Sequence, residues 1–137
     1  MSEILVRDWM HAGVVACRPD TPVTDVARTM RAEHVSALVV TDATGLAVGV
    51  ISRTDLANST FVEAYLSHWR GMEARHLMTS PVVSVAPDTP VAAAIRVLRE
   101  RRIHRLVVSE PAQGGERPVG IFSMTDVVAH IEVPRHG

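Results

Sequence analysis

Two stretches of this sequence place hydroxyls and a carboxylate at the same spacing: Gly49-x-x-Ser52-x-Thr54-Asp55 and Gly120-x-x-Ser123-x-Thr125-Asp126. A serine followed three residues later by an acid, where an apolar run turns into a helical pattern, is the signature of a capping box. The acid also suits the positive end of the helix dipole. The same carboxylate, held beside free N–H groups, is a fixed acceptor for a ligand's hydroxyls. The structural and the binding readings are compatible, because a capped aspartate is also a preorganised one. A second chemical feature is Ile103-His104-Arg105-Leu106. Arg105 offers a planar fork for phosphate oxygens, and His104 adds a donor. The opposing reading makes Arg99, Arg101, Arg102 and Arg105 a solvated helix end, with cations at the negative helix terminus.

Other chemistry is excluded by composition. All 14 basic residues are arginine, which removes Schiff-base and P-loop lysines. The single cysteine, Cys17, excludes an internal disulfide framework and any multi-cysteine zinc site. The seven histidines form neither an HExxH motif nor an i, i+4 pair, so no metal site is expected. No nucleophile, base and orienting group stand at a recognisable spacing, so no enzyme is expected. The net charge of -1 and the absence of aromatics among the arginines argue against nucleic acid. The start, MSEILVRDWM, does not read as a signal peptide, and no apolar run approaches the roughly 20 residues that span a bilayer. The expectation is a cytoplasmic protein with no membrane partner.

The elements that position these residues come from a repeat. Residues 6–40 align with 74–108 at a constant offset of 68, with 14 of 35 positions identical, including Pro-Asp-Thr-Pro-Val at 19–23 and 87–91. Beyond a three-residue insertion, 48–56 align with 119–127, with five identities in nine. The expected organisation is a first repeat at 6–58, a crossover helix or linker at 59–73 and a second repeat at 74–132. Units this small rarely stand alone, so the pair is expected to pack about a pseudo-two-fold axis into one module. Each copy reads as a helical turn (7–11, 75–79) and an extended stretch (14–17, 82–85). Then comes a helix after Thr21-Pro22 or Thr89-Pro90, with threonine as N-cap and proline at the first helical position. Val23, Val26, Ala27, Met30 and Val91, Ala94, Ile95, Leu98 keep i, i+3, i+4, i+7 spacing, and these helices should end near 33 and 101. Strands follow at 37–41 and 47–51, and at 105–109 and 118–122, the second pair joined by a long loop from Glu110 to Pro118. A last helix begins at Ser52 and at Ser123. The fold class is α/β, with two β-α-β-β-α repeats.

The duplicated Pro-Asp-Thr-Pro-Val, the Leu-Val-Val strand and the two Gly-x-x-Ser-x-Thr-Asp motifs resemble the CBS domain in tandem, the Bateman module, over about 6–132. Many members read Leu-Pro-Val where this chain has Leu38-Val39-Val40 and Leu106-Val107-Val108, a departure that bears on strand detail. The resemblance implies a non-catalytic regulatory module. It would bind an adenine nucleotide (AMP, ADP or ATP), or NAD or S-adenosylmethionine, as a regulatory ligand in clefts between the repeats. It would carry no catalytic cofactor. Site A would join Ser52, Thr54 and Asp55 to Val83, His104 and Arg105. Site B would join Ser123, Thr125 and Asp126 to Val15, Ser36 and Ala37. The aspartates would hold ribose hydroxyls, and Val15 and Val83 would line the adenine slot unless they are ordinary core. Met10 and Val14, with Met78 and Val82, would neighbour that slot.

Charge agrees with a more phosphorylated ligand at site A: residues 1–68 hold 5 Arg against 8 acids, and 69–137 hold 9 Arg against 7. A homodimer and a protein effector acted on in trans are the implied partners. Trp9, Phe61, Tyr65 and Trp69 either pack around the crossover or form a patch for a second copy. The alternative is a structural or protein-interaction module that dimerises and whose clefts are vestigial.

Overall fold

The computed structural model describes residues 3–58 and 71–131. In chain order the elements are α1 (Val6–Trp9), β1 (His11–Ala12), β2 (Ala16–Cys17), α2 (Val23–Glu33), β3 (Ala37–Thr41) and β4 (Ala47–Ser52). They continue with a helix that starts at 53 and is described to 58 (α3), then α4 (Ala74–Leu77), β5 (Ser84–Val85), α5 (Val91–Arg101), β6 (Arg105–Ala112), β7 (Gly115–Ser123) and α6 (Met124–Ile131). The α/β class and the helix ends at 33 and 101 are as expected.

These elements form two compact units, and the division does not follow the repeats. The first unit contains residues 3–14, 83–111 and 117–131. The second contains 15–58, 71–82 and 112–116. Each repeat therefore contributes its opening helical turn to the unit built on the other repeat.

The first unit has a four-stranded sheet in the order β1-β7-β6-β5, with β1 antiparallel to β7 and β5 parallel to β6. Its core is Val6, Val91, Ala94, Leu98, Leu106, Val108, Phe122 and Val127. The second unit has a three-stranded sheet in the order β2-β3-β4, with β2 parallel and β4 antiparallel to β3. Its core is Val26, Met30, Leu38, Val40, Ile51 and Ala74. Val6 and Ala74, which occupy matching positions in the two copies, are fully buried. Apart from Phe122, the buried residues of both cores are aliphatic, in keeping with the low aromatic content.

The identical Pro-Asp-Thr-Pro block has a structural explanation. The backbone N–H groups of Val6 and Arg7 donate to the carbonyls of Thr89 (2.8 Å) and Pro87 (3.0 Å). Those of Ala74 and Arg75 donate to Thr21 (2.8 Å) and Pro19 (3.0 Å). First-turn donors of a short helix have no intrahelical partner, and the carbonyls of this block accept from them.

The same contacts correct the expected cap. Pro22 and Pro90 are the N-cap residues, without a side-chain capping bond. Thr21 turns its hydroxyl back to accept from the Arg18 N–H at 2.9 Å, so it closes the preceding turn rather than the helix. A second correction concerns 110–118. These residues are not a long loop: β6 runs to Ala112 and β7 starts at Gly115. Gly114, at φ 90, permits the tight reversal.

Candidate functional site

The two Ser-x-x-Asp motifs sit where a strand hands over to a helix. In the second unit Ser52 ends β4 and lies opposite Ala37 in the β3–β4 register. The next residue, Arg53, donates its N–H to the carbonyl of Ser36 at 2.8 Å. The first unit repeats the arrangement, with the Met124 N–H donating to the carbonyl of His104 at 2.9 Å. Each motif thus lies beside the strand start of its own unit: Ser36-Ala37 in one, His104-Arg105 in the other.

Capping fixes both carboxylates. Asp55 Oδ2 accepts from the Ser52 N–H (2.8 Å) and hydroxyl (2.9 Å), and the Asp55 N–H donates to Ser52 Oγ (3.2 Å). Asp126 Oδ2 accepts from the Ser123 N–H (2.8 Å) and hydroxyl (3.1 Å), and the Asp126 N–H donates to Ser123 Oγ (3.4 Å). Oδ1 takes no part in either cap. Asp55 is half-buried and Asp126 buried, while Thr54 and Thr125 are exposed beside them.

The glycine that opens each motif admits another backbone. A Cβ on Gly120 would lie 2.6 Å from the carbonyl oxygen of His11, and one on Gly49 would lie 2.6 Å from Met78 Sδ and 3.1 Å from the Thr79 carbonyl. The chain that passes over Gly120 is β1, paired as His11 with Ile121 and Ala12 with Gly120. Its counterpart is the Val50–Thr79 bridge.

The two copies differ at that crossing. His11 Nδ1 stands 3.5 Å from Asp126 Oδ1. The matching residue in the other copy is Thr79. His130 Nδ1 lies 2.8 Å from the Asp126 carbonyl, and its ring stacks on Trp9 with centroids 4.4 Å apart. The motif spacing does not reveal His11 and His130 beside Asp126, or Trp9 against His130. The His11/Thr79 mismatch in the repeat alignment was visible, but nothing local marked a two-residue strand there.

The remaining expected residues fall as follows. Val15 and Val83 are half-buried, pack against the two cores, and accept from the N–H groups of Val39 (3.0 Å) and Val107 (3.2 Å) through their carbonyls. Arg105 is half-buried at the start of β6, and His104 is exposed. Arg99, Arg101 and Arg102 are exposed at the end of α5, where Arg102 caps the helix at φ 55. Ser52, Thr54, Asp55, Val15, Ser36 and Ala37 belong to the second unit. Ser123, Thr125, Asp126, Val83, His104 and Arg105 belong to the first. Phe61, Tyr65 and Trp69 lie outside the described residues.

Burial pushes the Cys17 thiol up to about 11. Asp42 is held below the ordinary carboxylate range by the Thr44 hydroxyl and by the Leu46 and Thr44 N–H groups. Among the described residues, no three or more His, Cys, Asp or Glu side chains gather as a metal site. No helix among them is long and apolar enough to cross a membrane.

Comparison with known proteins agrees with this geometry. The CBS domain family model matches residues 6–60 and 74–133. The solved CBS domain pair of protein MJ0100, in complex with 5-methylthioadenosine and S-adenosyl-L-methionine, superposes with a TM-score of 0.83 at 19% identity, covering 95% of this chain and 97% of that one. The structure of CBSX2 in complex with AMP superposes with a TM-score of 0.74 at 28% identity, covering 93% and 95%. An uncharacterised protein of Methanopyrus kandleri, MK0525, is 23% identical over 93% of this chain. An uncharacterised 33.4 kDa protein of Thermofilum pendens is 32% identical over 78% of it. The chain spans 63% and 33% of the lengths of those two relatives. The duplicated strand–helix caps, the glycine crossings and the family match over both repeats place this chain in the CBS domain family, as a tandem pair.

Proposed function

We propose that this chain is a non-catalytic regulatory module that binds adenosine-containing ligands and signals their presence to a protein partner in trans. The observation that carries the proposal is the pair of capped aspartates. Each is immobilised through Oδ2 at a helix N-terminus, beside an exposed threonine hydroxyl, with Oδ1 outside the cap. A carboxylate so placed accepts from vicinal ribose hydroxyls without reorganisation, and the neighbouring N–H groups and hydroxyls suit phosphate. The AMP complex of CBSX2, similar to this chain at 28% identity, supports that ligand class. In this proposal Ser52, Thr54 and Asp55 serve one adenosyl ligand and Ser123, Thr125 and Asp126 another, each aspartate holding ribose hydroxyls. Arg105 and His104 are the residues proposed to favour a more phosphorylated ligand.

A thermal-shift panel of AMP, ADP, ATP, NAD, S-adenosylmethionine and GTP tests the proposal. A ligand at 100 times its dissociation constant adds about 2.7 kcal/mol, a rise of several degrees for a domain of this size. The expected result is an adenine-selective rise that Asp55→Asn removes, with the preference for ATP lost in Arg105→Ala. A flat panel on ligand-free protein refutes it.

A second reading, a dimerisation module with vestigial clefts, has one observation in its favour. Met124, Val128 and Ile131 expose an apolar stripe along α6. Under that reading the panel is flat, and Val128→Asp with Ile131→Asp turns a dimer into a monomer by sedimentation.

A further inference from the structure

The second unit contains a cavity that the capped aspartates do not explain. It lies between α2 and the first turn of α3 and measures about 620 Å3, within the range of small-molecule sites. Among the described residues its wall is apolar at Ala27, Met30, Val35 and Leu56. Its polar groups among the described residues are Arg31, His34, Arg53 and the hydroxyl-bearing Ser36, and none of the described lining residues is an acid. The side chains of Arg31, His34 and Arg53 make no hydrogen bond or ion pair with described residues. Arg31 and Arg53 both line this largely apolar hollow, with no carboxylate among its described residues, and guanidinium geometry matches phosphate and carboxylate oxygens.

Helical geometry separates this cavity from the carboxylate site. At about 100° per residue, Arg53 and Leu56 share one face of α3, and Asp55 points about 200° away from Arg53. On α2, Ala27, Met30 and Arg31 form the facing stripe with i, i+3, i+4 spacing, and His34 follows as the left-handed C-cap. In the other copy Met124 replaces Arg53 and Arg99 replaces Arg31, so only the second unit carries the pair of arginines at these positions.

We propose that this cavity binds a small amphiphilic anion: an apolar body about the size of one ring, seated on Met30, Val35 and Leu56, with a phosphate or carboxylate held by Arg31 and Arg53 and reached by His34. The site shares Ser36 with the residues assigned to an adenosyl ligand but rests on Arg31 and Arg53, and it stands if the adenosyl reading fails.

Phenyl phosphate and benzoate serve as probes and separate the two head groups. Amide chemical shifts of the full chain follow their binding. The expected result is saturable one-to-one binding of at least one probe, with shifts concentrated at 27–36 and 53–56. Losing one charge-assisted hydrogen bond costs about 1.5–3 kcal/mol, so Arg31→Ala with Arg53→Ala should weaken binding at least about tenfold. The Lys variants, which keep charge but lose the fork, should fall between. Saturating AMP should leave probe binding unchanged. Both arginines are exposed, so the variant should keep a native spectrum. Absence of saturable binding overturns the proposal, as does binding that survives the double substitution. Displacement of the probes by AMP also overturns it, because the cavity would then be the phosphate end of an adenosyl site.

Discussion

Asp55 and Asp126 each commit one oxygen to their own helix, so substitutions there report two things at once. Asp55→Ala removes the cap, worth about 1 kcal/mol, as well as the ligand contact. Asp55→Asn keeps a neutral acceptor for the Ser52 N–H and is the cleaner binding test. We expect it to abolish the adenosyl-dependent thermal shift while lowering the ligand-free melting temperature less than Asp55→Ala does. Cys17 makes a different prediction. Its thiol is pushed up to about 11 by burial, so alkylation by iodoacetamide at pH 8 should be slow and should accelerate steeply between pH 10 and 11. The sign for stability follows from the raised value. The fold favours the protonated thiol, so this contribution is intact below the ordinary thiol range and is lost as pH rises toward 11. Cys17→Ala should reduce the alkaline loss of stability in a pH series of melts. Asp42 works in the opposite direction. Its depressed value contributes stability above the ordinary carboxylate range, and that contribution is lost as pH falls through the depressed value. Asp42→Asn should flatten the acid side of the same series.

At the scale of elements, the motif glycines are crossings before they are anything else. Gly120 has the backbone of β1 across it, and the nearest atom to an added methyl is the carbonyl oxygen of His11. Gly49 is crossed near Thr79, but the nearest atom is the flexible thioether of Met78. Overpacking costs about 1–3 kcal/mol when backbone must move and less when a side chain can swing away. Gly120→Ala should therefore lower the urea midpoint more than Gly49→Ala, and equal effects would contradict the crossing geometry. The order of the two effects also separates the structural role of the glycines from any ligand role, because a purely ligand-binding glycine would leave the midpoint unchanged.

At the scale of the whole molecule, the exchanged helical turns make the repeats interdependent. Val6 completes a core otherwise built from the second repeat, and Ala74 completes one built from the first. A chain cut to residues 74–137 loses Val6 and the donors that satisfy Thr89 and Pro87. A chain cut to 1–70 loses Ala74 and the donors that satisfy Thr21 and Pro19. Neither fragment should show a cooperative melt by circular dichroism, whereas the full chain should. A fragment that melts cooperatively by itself would show that the exchanged turn is dispensable to its core.

Several features were determined by the sequence alone, because they depend on local order. The constant offset of 68 disclosed the duplication. The i, i+3, i+4, i+7 aliphatic spacing placed α2 and α5 to within a residue at their ends, and Ser-x-x-Asp marked both strand-to-helix transitions. Each of these signals is carried by residues within a turn or two of one another. Tertiary structure decided what depends on contacts distant in sequence. It paired the carbonyls of Pro19 and Thr21 with N–H groups of a helical turn some fifty residues away. It set His11 against Asp126 through a two-residue strand too short to have a period. It also brought Arg31 and Arg53 to one cavity from two helices separated by a hairpin. A local pattern specifies the element it belongs to; which element that one will meet depends on the packing of the whole chain.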